Sequence, residues 1–184
     1  ALTKPGQWDA IVSHSGDVGF DTMFMPTFAE TITHISRYGS PAKYVDSVFK
    51  SNKMSSDDFH TLMICAMAAS YDPGVCSEDN PFGIQLPVDM KFCELIEERW
   101  SKWLKFDTLK LIDSNSSNLN PLKLLFIDCG NQDQYGIQYG SRKLVAKLSQ
   151  LGIVHRWEEF DGTHSGIDHR LDISLPLLSK SLTS

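Results

Sequence analysis

Three polar clusters in this sequence hold residues able to do acid–base chemistry: Ser13-His14-Ser15, Asp128 with Asp133, and His164. An acid following one strand and a histidine following the next is the arrangement a hydrolase triad requires. The acid fixes the histidine tautomer and stabilises its charged form. The histidine takes a proton from a hydroxyl nucleophile and returns it to the leaving group. His164 follows Asp133 by 31 positions, which leaves room for one helix and one strand. A structural alternative has Asp128 or Asp133 capping the next helix and His164 filling a turn. Pattern alone leaves the two readings even.

The elements that must position these residues are legible around them. Trp8 to Asp17 reads as a short buried strand closing in a polar turn. Leu122 to Ile127 is a near-continuous apolar strand ending at Asp128, Cys129 and Gly130, as expected of a strand covered on both faces. A helix is expected over 136–151, with Leu144, Leu148 and Leu151 on one face and Gly152 stopping it. Ile153 to Phe160 gives another strand, broken by Asp161-Gly162, and a last helix covers Asp168 to Leu182. Strand, helix, strand, helix with short connections is the pattern of a wound α/β sheet, in which ligands bind beyond the carboxyl ends of the strands.

Between the first strand and the rest the character changes. Ser55 to Ser70 reads as a helix with Ser56 as cap and Phe59, Met63 and Met67 recurring along it. Tyr71 to Leu86, with Pro73, Gly74, Pro81 and Gly83, is loop. The clearest helical pattern runs from Pro87 to Phe106, with Phe92, Ile96, Trp100, Trp103 and Leu104 on one face. Ser114 to Asn120 is a polar turn.

Composition narrows the function classes. The 184 residues are 41% hydrophobic and carry 17 basic against 23 acidic side chains, a net charge of -6. Such a chain supports one ordinary core and lacks the basic footprint of a nucleic-acid binder. Its apolar runs are too short to cross a bilayer. Cys65, Cys76, Cys93 and Cys129 show no C-x-x-C spacing, so neither a zinc site nor a disulfide scaffold is indicated. Cys65 and Cys129 read as small core residues, and this usage leans towards a reducing, cytoplasmic compartment. No cofactor is implied. The sequence opens at Ala1 rather than Met and is expected to be a processed or partial chain.

The segment from Leu125 through Asp128-Cys129-Gly130-Asn131-Gln132-Asp133 to Tyr135, together with Gly162-Thr163-His164-Ser165, resembles the C-terminal part of the esterase family that includes esterase D (S-formylglutathione hydrolase) and the enterochelin esterases. The opening, Ala1 to Gly16, resembles the stretch just after that family's nucleophile elbow. The resemblance is good at both ends and weak over 20–120, a region expected to be a helical insertion or cap over the active site. It implies part of an α/β-hydrolase domain spanning 1–184, with about three mostly parallel strands. It also implies Asp133 as triad acid, Asp128 as the aspartate closing the strand, His164 as general base, and a small-molecule ester as substrate. His169, inside the last helix, is expected to have a surface role.

One departure stands out. The fold needs a serine on a G-x-S-x-G elbow, and no glycine here is followed two positions later by serine. Only Gly74-Val75-Cys76 offers a thiol, without a closing glycine. The chain is therefore expected to be an esterase portion cut behind its nucleophile. Strand 10–15 should then pair with a missing N-terminal half or with a neighbouring chain. Two alternatives stay open: a non-catalytic α/β-hydrolase-like binding module, and a metal-dependent hydrolase using His164, Asp168 and His169. Phe20, Met23, Phe24 and Met25 are expected near the pocket, where they would favour an apolar acyl or alkyl group. His14 either lines the site or is a satisfied structural histidine.

Overall fold

Leu124–Gly130 forms the central strand, β2, of an open three-stranded sheet in a computed structural model that describes residues 1–183. Ala10–His14 is β1 and Arg156–Phe160 is β3; both run parallel to β2 in the order β1-β2-β3. Register pairs His14 with Asp128, and Asp128 with Glu158. Successive side chains point to opposite faces. Ile11, Ser13, Leu125 and Ile127 face the same space as Ser141, Leu144 and Leu148, which belong to the helix that follows β2. His14, Phe126 and Asp128 take the other face. With both faces covered, β2 is buried from Leu125 to Gly130, as its unbroken apolar run requires.

The chain divides into two compact units, Ala1–Met23 with Asp107–Ser184, and Phe24–Phe106. In the first, α1 (Phe20–Met23), α6 (Thr108–Asn115), α7 (Ile137–Gln150) and α8 (Leu171–Thr183) accompany the sheet. Helices occur throughout the 20–120 region, but its two flanks, 20–23 and 107–120, belong to the sheet unit, for a local reason. The buried carboxylate of Asp107 accepts the N–H groups of Gly19 and Phe20 at 3.0 Å and caps α6 through the N–H of Leu109. One aspartate ties both flanks to the sheet. Asn115 ends α6 and a 3-10 turn follows over Ser116–Leu119, where a simple polar turn was expected.

The second unit holds α2 (Phe28–Ser36), α3 (Pro41–Lys50), α4 (Ser56–Tyr71) and α5 (Glu97–Trp103). The cap of α4 is Ser55, not Ser56: Ser55 and Asp58 form a reciprocal capping box. Its buried face carries Thr61, Ile64, Cys65 and Ala68, while Phe59 is 53% exposed. The long helix expected over 87–106 shrinks to α5. Asp89 takes the N–H groups of Lys91 and Phe92 on its side chain, and its own N–H bonds Glu94 O at 2.8 Å. Those side-chain bonds outcompete helix. Cys93 adopts φ +57° and Val88 bridges Leu95. Phe92 is left at the surface, while Trp100 and Trp103 are buried. Trp103 packs edge-on against Phe24, Phe28 and Tyr71.

Candidate active site

The acid–base pair sits beyond the carboxyl ends of β2 and β3. Asp133 lies in the turn between β2 and α7, where its Oδ1 accepts the N–H of Tyr135 at 2.9 Å. Gly136, at φ +73°, starts α7 without any side-chain cap. Asp133 is therefore not spent as a helix cap, and its Oδ2 accepts from Nδ1 of His164 at 3.0 Å. The Asp133 side chain is fully buried and that of His164 is 35% exposed. A carboxylate can only accept here, so Nδ1 carries the proton and Nε2 is the basic nitrogen. No hydrogen-bond partner for Nε2 occurs among the described residues.

The loop bearing His164 rests on the end of β2. Gln132 donates its N–H to Gly162 O at 2.9 Å, and the His164 N–H reaches Gln134 Oε1 at 3.0 Å. A Cβ at Gly130 would collide with the carbonyl oxygens of Gly162 and Thr163, so only glycine permits this approach. Tyr135 presents its ring edge-on to the imidazole, 4.9 Å between centroids. Beneath Asp133 the Cys129 thiol is pushed up to about 11 by burial, which keeps it neutral. Asp17, in the turn after β1, senses both members of the pair. Crowding around its carboxyl raises its pKa although the residue keeps solvent contact, with His164 opposing and Asp133 adding to the shift.

Asp128 plays a different part. It is fully buried, five positions before Asp133, and accepts from His14 Nδ1 at 2.7 Å and Arg170 Nε at 2.8 Å. His14 Nε2 in turn accepts from Ser174 at 2.9 Å, which makes His14 the satisfied structural histidine. Ser15 donates to Cys129 at 3.6 Å, so the Ser13-His14-Ser15 cluster does not join His164. His169 is exposed in the 3-10 turn Ile167–Arg170, with Nδ1 on Gly166 O and its ring against Phe160. Among the described residues no group of three or more His, Cys, Asp or Glu could hold a metal ion, so His164, Asp168 and His169 do not converge.

A cavity of about 300 Å³ lies on the α7 side of the sheet, lined mainly by Ile11, Val18, Leu111, Leu125, Ile127 and Leu144. The expected pocket residues are not among them. Phe20, Met23 and Phe24 are buried as core, and Met25 is 40% exposed. The four cysteines are unpaired, with Cys65 and Cys129 buried and Cys76 exposed. Among the described residues no helix is long and apolar enough to cross a membrane. Sequence reasoning missed Gln134, Tyr135, Asp17, Gly130 and Arg170. Only Gly130 and Asp17 left a local trace, as turn residues after strands. No protein-family model matches the chain, and no curated protein matches it.

Proposed function

We propose that Asp133 and His164 are the acid and base of a serine-type carboxylic-ester hydrolase. One observation carries the reading: a buried carboxylate holds Nδ1 of a part-exposed histidine while Nε2 stays open beyond the strand ends. In this mechanism Nε2 takes the proton of a serine hydroxyl as it attacks the ester carbonyl. Asp133 stabilises the resulting imidazolium, and the same proton then goes to the leaving alcohol. A water deprotonated by Nε2 next attacks the acyl-serine to release the acid, the serine oxygen taking the proton back. The chain's resemblance to esterase D and the enterochelin esterases points the same way.

In this reading the serine is supplied from outside the described residues. Support comes from β1, which is hydrogen-bonded to β2 alone and leaves its other edge open beside Ile11 and Val12. A strand added there would end near the turn that holds Asp17.

Hydrolysis of a p-nitrophenyl ester by the natural polypeptide tests the reading. Turnover abolished by His164→Ala and by a serine-directed phosphonate supports it. A natural polypeptide without such turnover overturns it in favour of a binding module, the second reading, which the unpartnered Nε2 also favours.

A further inference from the structure

Arg170 is the first buried residue after His164; the five residues between them are exposed or half-buried. The loop over 161–166 therefore has no apolar side chain of its own to fix it. Its N-terminal root is held by backbone, with Asn131 donating to Phe160 O at 2.8 Å and Gln132 to Gly162 O. Its C-terminal root is held by Arg170. The guanidinium reaches Asp128 through Nε at 2.8 Å and Glu158 through Nη2 at 2.6 Å, and lies 4.7 Å from the centre of the Phe160 ring. These partners come from β2 and β3, the two strands whose ends carry Asp133 and the His164 loop.

We propose that Arg170 is a positioning residue for His164: its clamp on Asp128 and Glu158 fixes the loop root and so aims the imidazole at Asp133. The proposal rests on the ester-hydrolase reading for its consequence in turnover, but not for the geometry. The planar fork of arginine spans two carboxylates from different strands, a span the point charge of lysine does not reproduce. Asp128 is itself braced by His14 and, through it, by Ser174 of α8. The anchor is thus a chain of bonds running across the sheet.

Arg170→Lys keeps the buried charge neutralised and loosens the fork. In 15N-histidine-labelled protein, the hydrogen-bonded Nδ1–H signal of His164 is expected to weaken or broaden in this variant. Arg142→Lys, which alters the exposed pair between α7 and Glu159 of β3, should leave it unchanged and controls for loss of stability. In the natural polypeptide kcat for the ester should fall on the order of 10²-fold in Arg170→Lys at nearly constant KM, the scale of a misplaced catalytic group. A wild-type signal and kcat in Arg170→Lys overturn the proposal, whatever happens to the melting temperature. Should that variant not fold, Glu158→Gln removes one arm of the clamp, and an unchanged Nδ1–H signal there overturns it equally. A lost signal in Arg170→Lys, with turnover indifferent to His164→Ala, refutes the hydrolase reading and leaves the positioning intact.

Discussion

Asp128 and Asp133 divide two histidines between them: Asp128 holds His14 Nδ1 at 2.7 Å and Asp133 holds His164 Nδ1 at 3.0 Å. The pairs differ in what else they touch. Around Asp128, Arg170 takes the other carboxylate oxygen and Ser174 takes His14 Nε2, and a buried ion pair so enclosed serves structure. Around Asp133, the histidine keeps one nitrogen free and part of its ring exposed. Only the second pair leaves a basic nitrogen open.

His164→Ala should remove nearly all ester turnover in the natural polypeptide while circular dichroism stays unchanged. Asp133→Asn should cost on the order of 10⁴ in kcat, the scale known for the serine-protease acid. His169→Ala should do little, since His169 turns to Gly166 and Phe160. Equal losses at His164 and His169 would contradict the assignment.

Gly130→Ala should disturb the site without altering the Asp133 or His164 side chain. Its methyl group has no room against Gly162 O and Thr163 O, so the 161–165 loop must move. Overpacking of this kind costs roughly 1–3 kcal/mol. The expected readings are a lower melting temperature and a lost His164 Nδ1–H signal. An unchanged signal would mean that the loop is not held by this approach.

In the helical unit, Trp103→Ala should cost about 3–5 kcal/mol, because a fully buried ring against Phe24, Phe28 and Tyr71 disappears. Trp103→Phe should cost much less. The Trp103 Nε1–H is buried without a partner, and removing it recovers about 1–3 kcal/mol against the lost volume. Chemical denaturation of both variants checks the ordering, and a Trp103→Phe loss as large as that of Trp103→Ala would refute it.

Acid sensitivity should report the Arg170 clamp. Hydrogen bonds from Arg170 and then Arg156 hold Glu158 below the usual glutamate range. A folded pKa below the unfolded value of about 4.3 adds stability above that pH, and the gain is lost as pH falls through the folded value. Melting temperature should therefore drop more steeply below about pH 4.3 in wild type than in Glu158→Gln. Parallel acid slopes would show that Glu158 contributes nothing to the pH dependence.

By itself the sequence determined the features that depend on neighbours along the chain. The unbroken apolar run of β2 signals burial on both faces, and the Leu144 and Leu148 spacing with Gly152 defines α7. The acid-to-histidine spacing, with one helix and one strand between, marked the Asp128–Asp133 segment and His164 as candidates, and only the family resemblance put Asp133 ahead of Asp128. Tertiary structure decided what depends on competition between distant partners. Asp89 turned an amphipathic 87–106 pattern into a loop and a short helix, since two backbone N–H bonds to one side chain outweigh periodicity. Packing buried Ile64 and Cys65 of α4 rather than Phe59. Phe20, Met23 and Phe24 became core instead of pocket. Whether Asp128 or Asp133 would meet His164 depended on Asp128 being taken, within the sheet, by His14 and by Arg170, a cation 42 positions away with no local mark of its role, while Asp133 lies in the turn beyond β2. Alternation along a strand is written in sequence; the partner waiting on each face is supplied only when the chain folds back.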